Sequence, residues 1–262
     1  MQERHEELTR RGFMGRVAAV SAATAGLAGI AHAEQYIPGD VDDYDFLIAR
    51  VGNNNPDWEY FPGGDKNLLE QLSHVLRIKV KIQPNTRDEN PERGKPEHFN
   101  AMVDLTSIDD LRKFPFLFMT GMGVYRLGQT QTENLRDYVC SGGFVLMDEC
   151  AHPGRADDFY QSAYLSLVSA FGQEAIRPIP EDHEIYRNVY DISQPNYRRW
   201  VRTGVPSPGN VGVFIEDRLA VVLCDADIHC GWTDPRNSWI KRAHHEESIR
   251  TGINIVAYAL SH

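Results

Sequence analysis

The densest group of chemically reactive side chains in the sequence lies in GGFVLMDECAHPG, residues 142–154. Its glycine pair and apolar run predict a turn and then a buried strand. Asp148, Glu149, Cys150 and His152 follow where that strand ends. Carboxylates, thiols and imidazoles serve in acid–base, nucleophilic and metal chemistry, so this stretch is the first candidate site.

A second group, CDADIHCGW, places Asp225, Asp227, His229 and Cys230 after another apolar run. If the two strands are neighbours, their carboxyl ends meet at one edge of a sheet, where α/β folds bind ligands. Such ligand types suit Zn²⁺, Mn²⁺ or Ca²⁺. We therefore predict a divalent metal site there.

The predicted metal ligands are Asp148, Glu149 and Asp225, with His152 and Asp227 as further ligand-binding candidates. The chain has neither HExxH nor EF-hand spacing, so the alternative is that these acids cap turns or face solvent.

Cys150 is not favoured as a nucleophile. A nucleophile elbow needs small neighbours because its turn is strained, whereas here Glu149 precedes the thiol. The adjacent carboxylates also disfavour the thiolate. A cysteine amidotransferase or peptidase is therefore disfavoured, and Cys150→Ser is expected to change little.

The elements that position these groups alternate between apolar strands and amphipathic helices. We predict strands at 44–51, 78–82, 116–119 and 144–147, helices at 67–76, 130–139 and 246–260, and a hairpin at 211–225. Asp65 and Asn67 are predicted to cap the first helix. A strand, a helix and another apolar strand predict parallel pairing. The expected fold is an α/β sheet with helices on both faces, formed as one domain by residues 34–262.

Six segments in order resemble one family: WEYFPGGDKNLLEQL, FPFLFMTGMGVYRL, ENLRDYVCSGGFVLMDE, PEDHEIY, DRLAVVLCDADIHCGW and GINIVAYAL. The chain resembles the domain of unknown function 4159 family over about residues 44–260. The resemblance implies a flavodoxin-like parallel sheet similar to that of class I glutamine amidotransferases. It also marks His183 as a ligand-binding candidate. It implies fold and leaves activity open, since fold does not determine function.

The N-terminus predicts export. Arg10 and Arg11 precede a weakly apolar stretch, residues 17–30, and then the small-residue site Ala31-His32-Ala33. This pattern is typical of a signal peptide, and the arginine pair resembles a Tat signal. The apolar stretch is too short to span about 30 Å of hydrocarbon. We predict a Tat-type signal peptide over residues 1–33, no transmembrane segment, and a periplasmic or other extracytoplasmic location.

The composition of the chain limits the classes of partner that it can bind. The 262-residue chain has a formal net charge of −10 and no basic stripe, so no nucleic acid is expected. Of its four cysteines, Cys224 and Cys230 are the expected pair if any disulfide forms.

The favoured function is a non-catalytic binding or assembly module of the cell envelope, whose partner is an envelope protein or a small molecule. The alternative is a hydrolase with a carboxylate or metal site around Asp148, Glu149 and Asp225. The sequence leaves both open.

Overall fold

A computed structural model describes residues 36–52, 62–82, 100–150, 158–192, 209–234, 236 and 242–262. The strands are β1 (Ala49–Val51), β2 (Ala101–Val103), β3 (Phe116–Gly121), β4 (Phe144–Glu149), β5 (Ile176–Pro178), β6 (Val211–Ile215) and β7 (Arg218–Cys224). The α-helices are α1 (Pro62–Leu76), α2 (Ile108–Leu111), α3 (Gln129–Cys140), α4 (Asp158–Phe171), α5 (Ile228–Gly231) and α6 (Arg242–Ser261). None of these helices is long and apolar enough to cross a membrane. The predicted signal peptide lies outside the described residues.

The seven described strands form one mixed, mostly parallel sheet in the order β2-β1-β3-β4-β7-β6-β5. Strands β2, β1, β3, β4 and β7 pair in parallel, and β6 pairs antiparallel with both β7 and β5. The prediction that 44–51, 116–119 and 144–147 contribute parallel strands to one sheet is confirmed. So is the 211–225 hairpin, which turns at Glu216 with a φ of 56°.

Helices cover both faces of the sheet, which explains why its central strands read as unbroken apolar runs. Alternate residues of β4 enter two separate cores. Val145 and Met147 join the core under α3 and α4, whereas Phe144 and Leu146 join the core under α1 and α6. We call these the α3/α4 face and the α1/α6 face. All six residues of β4 are buried, as the sequence predicted for 144–147.

Two predicted strands are shorter than expected. The first is reduced to β1, because residues 44–48 of the predicted strand make only an isolated bridge between Phe46 and Val80. That bridge is also all that forms from the strand predicted at 78–82. The alternation of that segment buries Val80 against the α1/α6 face without a ladder.

Tight packing fixes α1, α5 and α6 against one another around Trp232. A Cβ atom placed on Gly252 of α6 would meet the Cδ1 of Leu68 in α1 at 2.8 Å and the Nε1 of Trp232 at 3.0 Å. The indole Nε1 donates to the carbonyl of Ser248 at 3.0 Å. This hydrogen bond joins the end of α5 to α6.

Candidate functional site at the carboxyl edge of the sheet

The chain reverses its direction of strand addition at β1, which lies between β2 and β3. In open α/β sheets, such a switch point opens a crevice beyond the carboxyl ends of the strands, where ligands bind. Arg50 lies in β1 close to that end, on the α1/α6 face. Here we call this end of β1, β3, β4 and β7 the carboxyl edge.

A buried charge network occupies the switch point. The Arg50 guanidinium donates to Asp65 of α1 through Nε at 2.7 Å and through Nη2 at 3.0 Å. Asn100 also donates to Asp65 through its side-chain amide. Arg50, Asp65 and Asn100 are all buried. The bidentate geometry matches the guanidinium fork to the carboxylate, the strongest form of this pairing.

The network holds Asp65 in its charged form. Burial acts to raise the pKa of Asp65, but the charge of Arg50 and a hydrogen bond from His229 outweigh it and lower that pKa to about 2. The prediction that Asp65 caps the first helix is therefore wrong, because its carboxylate binds side chains of other elements. Asn67 instead donates to the carbonyl of Trp232 at 2.9 Å.

His229 of α5 completes the network. Its Nε2 lies 2.6 Å from Arg50 Nη2 and 3.1 Å from Asp65 Oδ1. A guanidinium can only donate and a carboxylate can only accept, so Nε2 accepts from Arg50 in one ring tautomer and donates to Asp65 when it carries the hydrogen. The imidazole packs against the rings of Phe118 at 5.1 Å and Trp232 at 5.4 Å. Fixed on both sides, it is oriented by packing as well as by charge.

Asp148 holds the start of α5. Its two carboxylate oxygens accept the backbone N–H groups of Ile228 at 3.2 Å and His229 at 2.9 Å. Burial and the charge of Asp227 raise the pKa of Asp148 well above its usual range, although those two hydrogen bonds act to lower it. Asp148 therefore connects β4 to the helix that carries His229.

Glu149 and Asp225 lie on the other face. Side chains alternate along a strand, so Glu149 points to the α3/α4 face when Asp148 points to the α1/α6 face. Its Oε2 accepts the Tyr160 N–H at the start of α4, at 2.6 Å. Asp225 Oδ2 accepts the N–H of Gly209 at 3.1 Å. Both carboxylates are buried.

The expected meeting of the two clusters is confirmed for the backbone. β4 and β7 are neighbours, with Asp148 opposite Cys224. The three predicted metal ligands do not all lie on one face of the sheet. Because side chains alternate along a strand, Asp148 lies on the α1/α6 face, whereas Glu149 and Asp225 lie on the α3/α4 face. The shared metal site of these three carboxylates stays a prediction.

A different trio lies together at the same edge. One ligand atom from each of Cys150, Asp227 and Cys230 lies within 4.8 Å of the others, and all three residues are buried. The two Sγ atoms are 3.7 Å apart. Cys230 therefore faces Cys150, where the sequence had favoured Cys224 as its partner. We call these three residues the thiol–carboxylate cluster.

The surroundings of the thiol–carboxylate cluster keep its thiols protonated. A hydrogen bond from Cys230 acts to lower the pKa of Cys150, but burial and the charge of Asp227 outweigh it and raise that pKa. The hydrogen bond to Cys150, followed by burial, raises the pKa of Cys230 well above its usual range. Protonated thiols are poor nucleophiles.

His183 belongs to neither group. Its imidazole lies 5.4 Å from the ring of Tyr258, and that ring lies 6.0 Å from Phe144, the first residue of β4. His183 is thus at the opposite edge of the sheet, where its Nδ1 accepts the N–H of Ile185 at 3.1 Å. Its assignment as a ligand-binding residue stays a prediction. His152 lies outside the described residues.

Residues 47–260 match the family described as domain of unknown function (DUF4159). The chain belongs to the DUF4159 family. No curated protein matches it.

Two residues at the carboxyl edge of this DUF4159 protein were not predicted from the sequence: Arg50 and Asn100. Arg50 could have been predicted, because a charged residue inside the apolar run YDFLIARV needs a partner once it is buried. Asn100 could not have been predicted, since it follows the charged stretch of residues 84–97 without any periodic pattern.

Proposed function

We propose that this chain is an exported, non-catalytic binding or assembly module of the cell envelope, built on an amidotransferase-like, flavodoxin-like sheet. One observation carries the proposal. At the carboxyl edge, where such sheets hold reactive groups, four buried carboxylates accept hydrogen bonds from side chains or backbone amides of the chain itself: Asp65, Asp148, Glu149 and Asp225. The Arg50–Asp65 ion pair and the hydrogen bonds from the α5 backbone to Asp148 are such internal contacts.

The surroundings of Cys150 also support a non-catalytic role. Its backbone N–H donates to the carbonyl of Gly121 at 3.1 Å, so the β3–β4 ladder continues through it. Cys150 has no positive φ, unlike the residue on a strained nucleophile elbow. Cys150 is only 6% exposed. A nucleophile needs access to substrate and a favourable thiolate, and these features supply neither.

The hydrolase alternative has weaker support. Asp148, Glu149 and Asp225 each accept a backbone N–H at 2.6–3.2 Å. Carboxylates held this way favour a structural role over general acid–base work, which requires an oxygen that reaches substrate.

The surface that we assign to binding lies on α4. In the described part of the chain, Val124 and Leu165 are the exposed large hydrophobic side chains, at 52% and 67% exposure. Both line one groove of about 420 Å³, whose polar lining residues include Arg126, Thr132 and Asp158. Exposed apolar side chains that share a groove with polar ones are found at interaction surfaces.

The chemistry of this groove favours a protein partner. Small-molecule sites enclose most of their ligand in concave pockets. Here Leu165 projects into solvent, so a partner must bring its own surface to cover it. We propose that an apolar side chain of an envelope protein packs against Val124 and Leu165, while the polar lining residues bind its polar neighbours.

Site-specific photo-crosslinking tests this function. The chain is expressed in its own organism with p-benzoylphenylalanine at Leu165 or, as the matched control, at exposed Asp217 of the β6–β7 turn. We expect one discrete envelope adduct from the Leu165 probe, none from Asp217, and a lower yield when Val124→Asp is added. No adduct at Leu165, the same adduct from both probes, or a yield that ignores Val124→Asp would overturn the proposal.

A further inference from the structure

The thiol–carboxylate cluster goes unused by the proposed binding function. Cys150 is 6% exposed, Asp227 is 3% exposed and Cys230 is 2% exposed. Two thiols and a carboxylate at this depth, with ligand atoms within 4.8 Å, form a ready-made set of donors. Buried charges are retained in proteins when they are paired or coordinate metals.

Rigid elements hold each donor of this cluster. Cys150 continues the β4 ladder by donating to Gly121 at 3.1 Å. Asp227 stands between β7 and α5 with a φ of 55°, a left-handed conformation that Asp and Asn tolerate better than most residues. Cys230 lies in α5, whose first N–H groups Asp148 binds. Donors on such supports are preorganised for a ligand.

The separation of the sulfurs fits one class of ligand. Two thiolates on a tetrahedral zinc ion, each about 2.3 Å from the metal, lie about 3.8 Å apart. The observed Sγ–Sγ distance is 3.7 Å. A disulfide would require about 2.05 Å. Thiolates select zinc and other soft metals, whereas Mg²⁺ and Ca²⁺ prefer oxygen ligands alone.

We propose that Cys150, Asp227 and Cys230 bind a zinc ion. Both thiols lose their protons when the metal binds, and the two protons pass to solvent. Among the described residues the cluster has three members, which leaves the fourth tetrahedral position for water or a ligand atom. The proposal is independent of the α4 groove and involves none of its residues.

Metal analysis of the reduced, folded chain of residues 34–262 tests the proposal. We expect one zinc ion per chain, and on replacement with Co²⁺ a sulfur-to-cobalt charge-transfer absorption. Cys150→Ser and Cys230→Ser should each weaken zinc binding by more than about 100-fold, beyond the loss typical of outer-shell changes. Cys140→Ser, at an exposed thiol, is the matched control and should leave zinc affinity unchanged.

Asp227→Asn keeps the test decisive if a cysteine variant fails to fold. Asn tolerates the same left-handed backbone and removes only the charge, so a folded protein with at least about 10-fold weaker zinc binding supports the assignment. Unchanged affinity in folded Asp227→Asn or Cys230→Ser would overturn it. So would a reduced, folded wild-type chain that takes up no zinc and shows no cobalt–thiolate band, or a metal-free Cys150–Cys230 disulfide in protein recovered from the envelope.

Discussion

Replacing Arg50 with Met should destabilise the fold severely. The pKa of Asp65 falls from its ordinary 3.8 to about 2. Since one pKa unit corresponds to about 1.36 kcal/mol, the folded state favours its carboxylate by about 2–3 kcal/mol. Removing Arg50 also leaves that carboxylate buried without its cation, and breaking one partner of a buried pair costs about 3–5 kcal/mol. We expect Arg50→Met to lower the free energy of unfolding at pH 7 by about that amount.

The loss of stability in Arg50→Met should depend on pH in a defined direction. A carboxylate whose pKa is lowered by folding stabilises the protein above the unfolded pKa, and that stability disappears as pH falls toward the folded pKa. For Asp65 the window runs from pH 3.8 down to about 2. The stability gap between wild type and Arg50→Met should therefore narrow by about 2–3 kcal/mol across that window.

Urea unfolding followed by far-ultraviolet circular dichroism measures both quantities. Arg50→Lys is the control, because it keeps the charge but loses the bidentate fork, and should cost less than Arg50→Met. Adding Asp65→Leu to Arg50→Met removes the orphaned carboxylate and should recover part of the loss. A loss below about 1 kcal/mol at pH 7 for Arg50→Met, or a gap that widens toward pH 2, would refute the argument.

Two further predictions test the signal and the core. Changing both Arg10 and Arg11 to Lys should leave unprocessed precursor in the cytoplasm, because the Tat route reads the arginine pair; normal export on immunoblots of cell fractions would exclude that route. Gly143→Ala should lower stability by about 1–3 kcal/mol, because a Cβ there would lie 2.3 Å from the Tyr138 ring. Gly39→Ala, with nothing within 4 Å, is its control, and equal unfolding midpoints for the two variants would contradict the packing argument.

Much of the sheet could be predicted because its strands are buried on both faces. Continuous apolar runs such as those of β3 and β4 have few alternatives, and a helix between them requires a parallel crossover. The segment 78–82 shows where this reasoning fails. Its alternation is typical of a strand, but a ladder depends on a neighbour in register, and only the Phe46–Val80 bridge forms.

The candidate site was harder to predict because its contacts join distant parts of the chain. Sequence reasoning found the strand-end acids, yet it could not assign them to faces without knowing where each strand ends. Cys150 was expected to be inert on the strength of its immediate neighbours. Its contact with Cys230 spans 80 residues. Arg50 also makes its contact with a distant part of the chain, because His229 lies 179 residues away in the sequence.

The reactivity of Cys150 tests the central claim of a non-catalytic edge most directly. Native protein is mixed with a thiol-specific aromatic disulfide reagent between pH 6 and 9, and labelled residues are mapped by mass spectrometry. Exposed Cys140 is the internal standard. Burial and nearby carboxylates raise the pKa of Cys150, so we predict that Cys140 reacts promptly while Cys150 is labelled only after unfolding. Rapid labelling of Cys150 in the native protein, at a lower pH than Cys140 needs to react, would contradict the account and indicate a catalytic thiol.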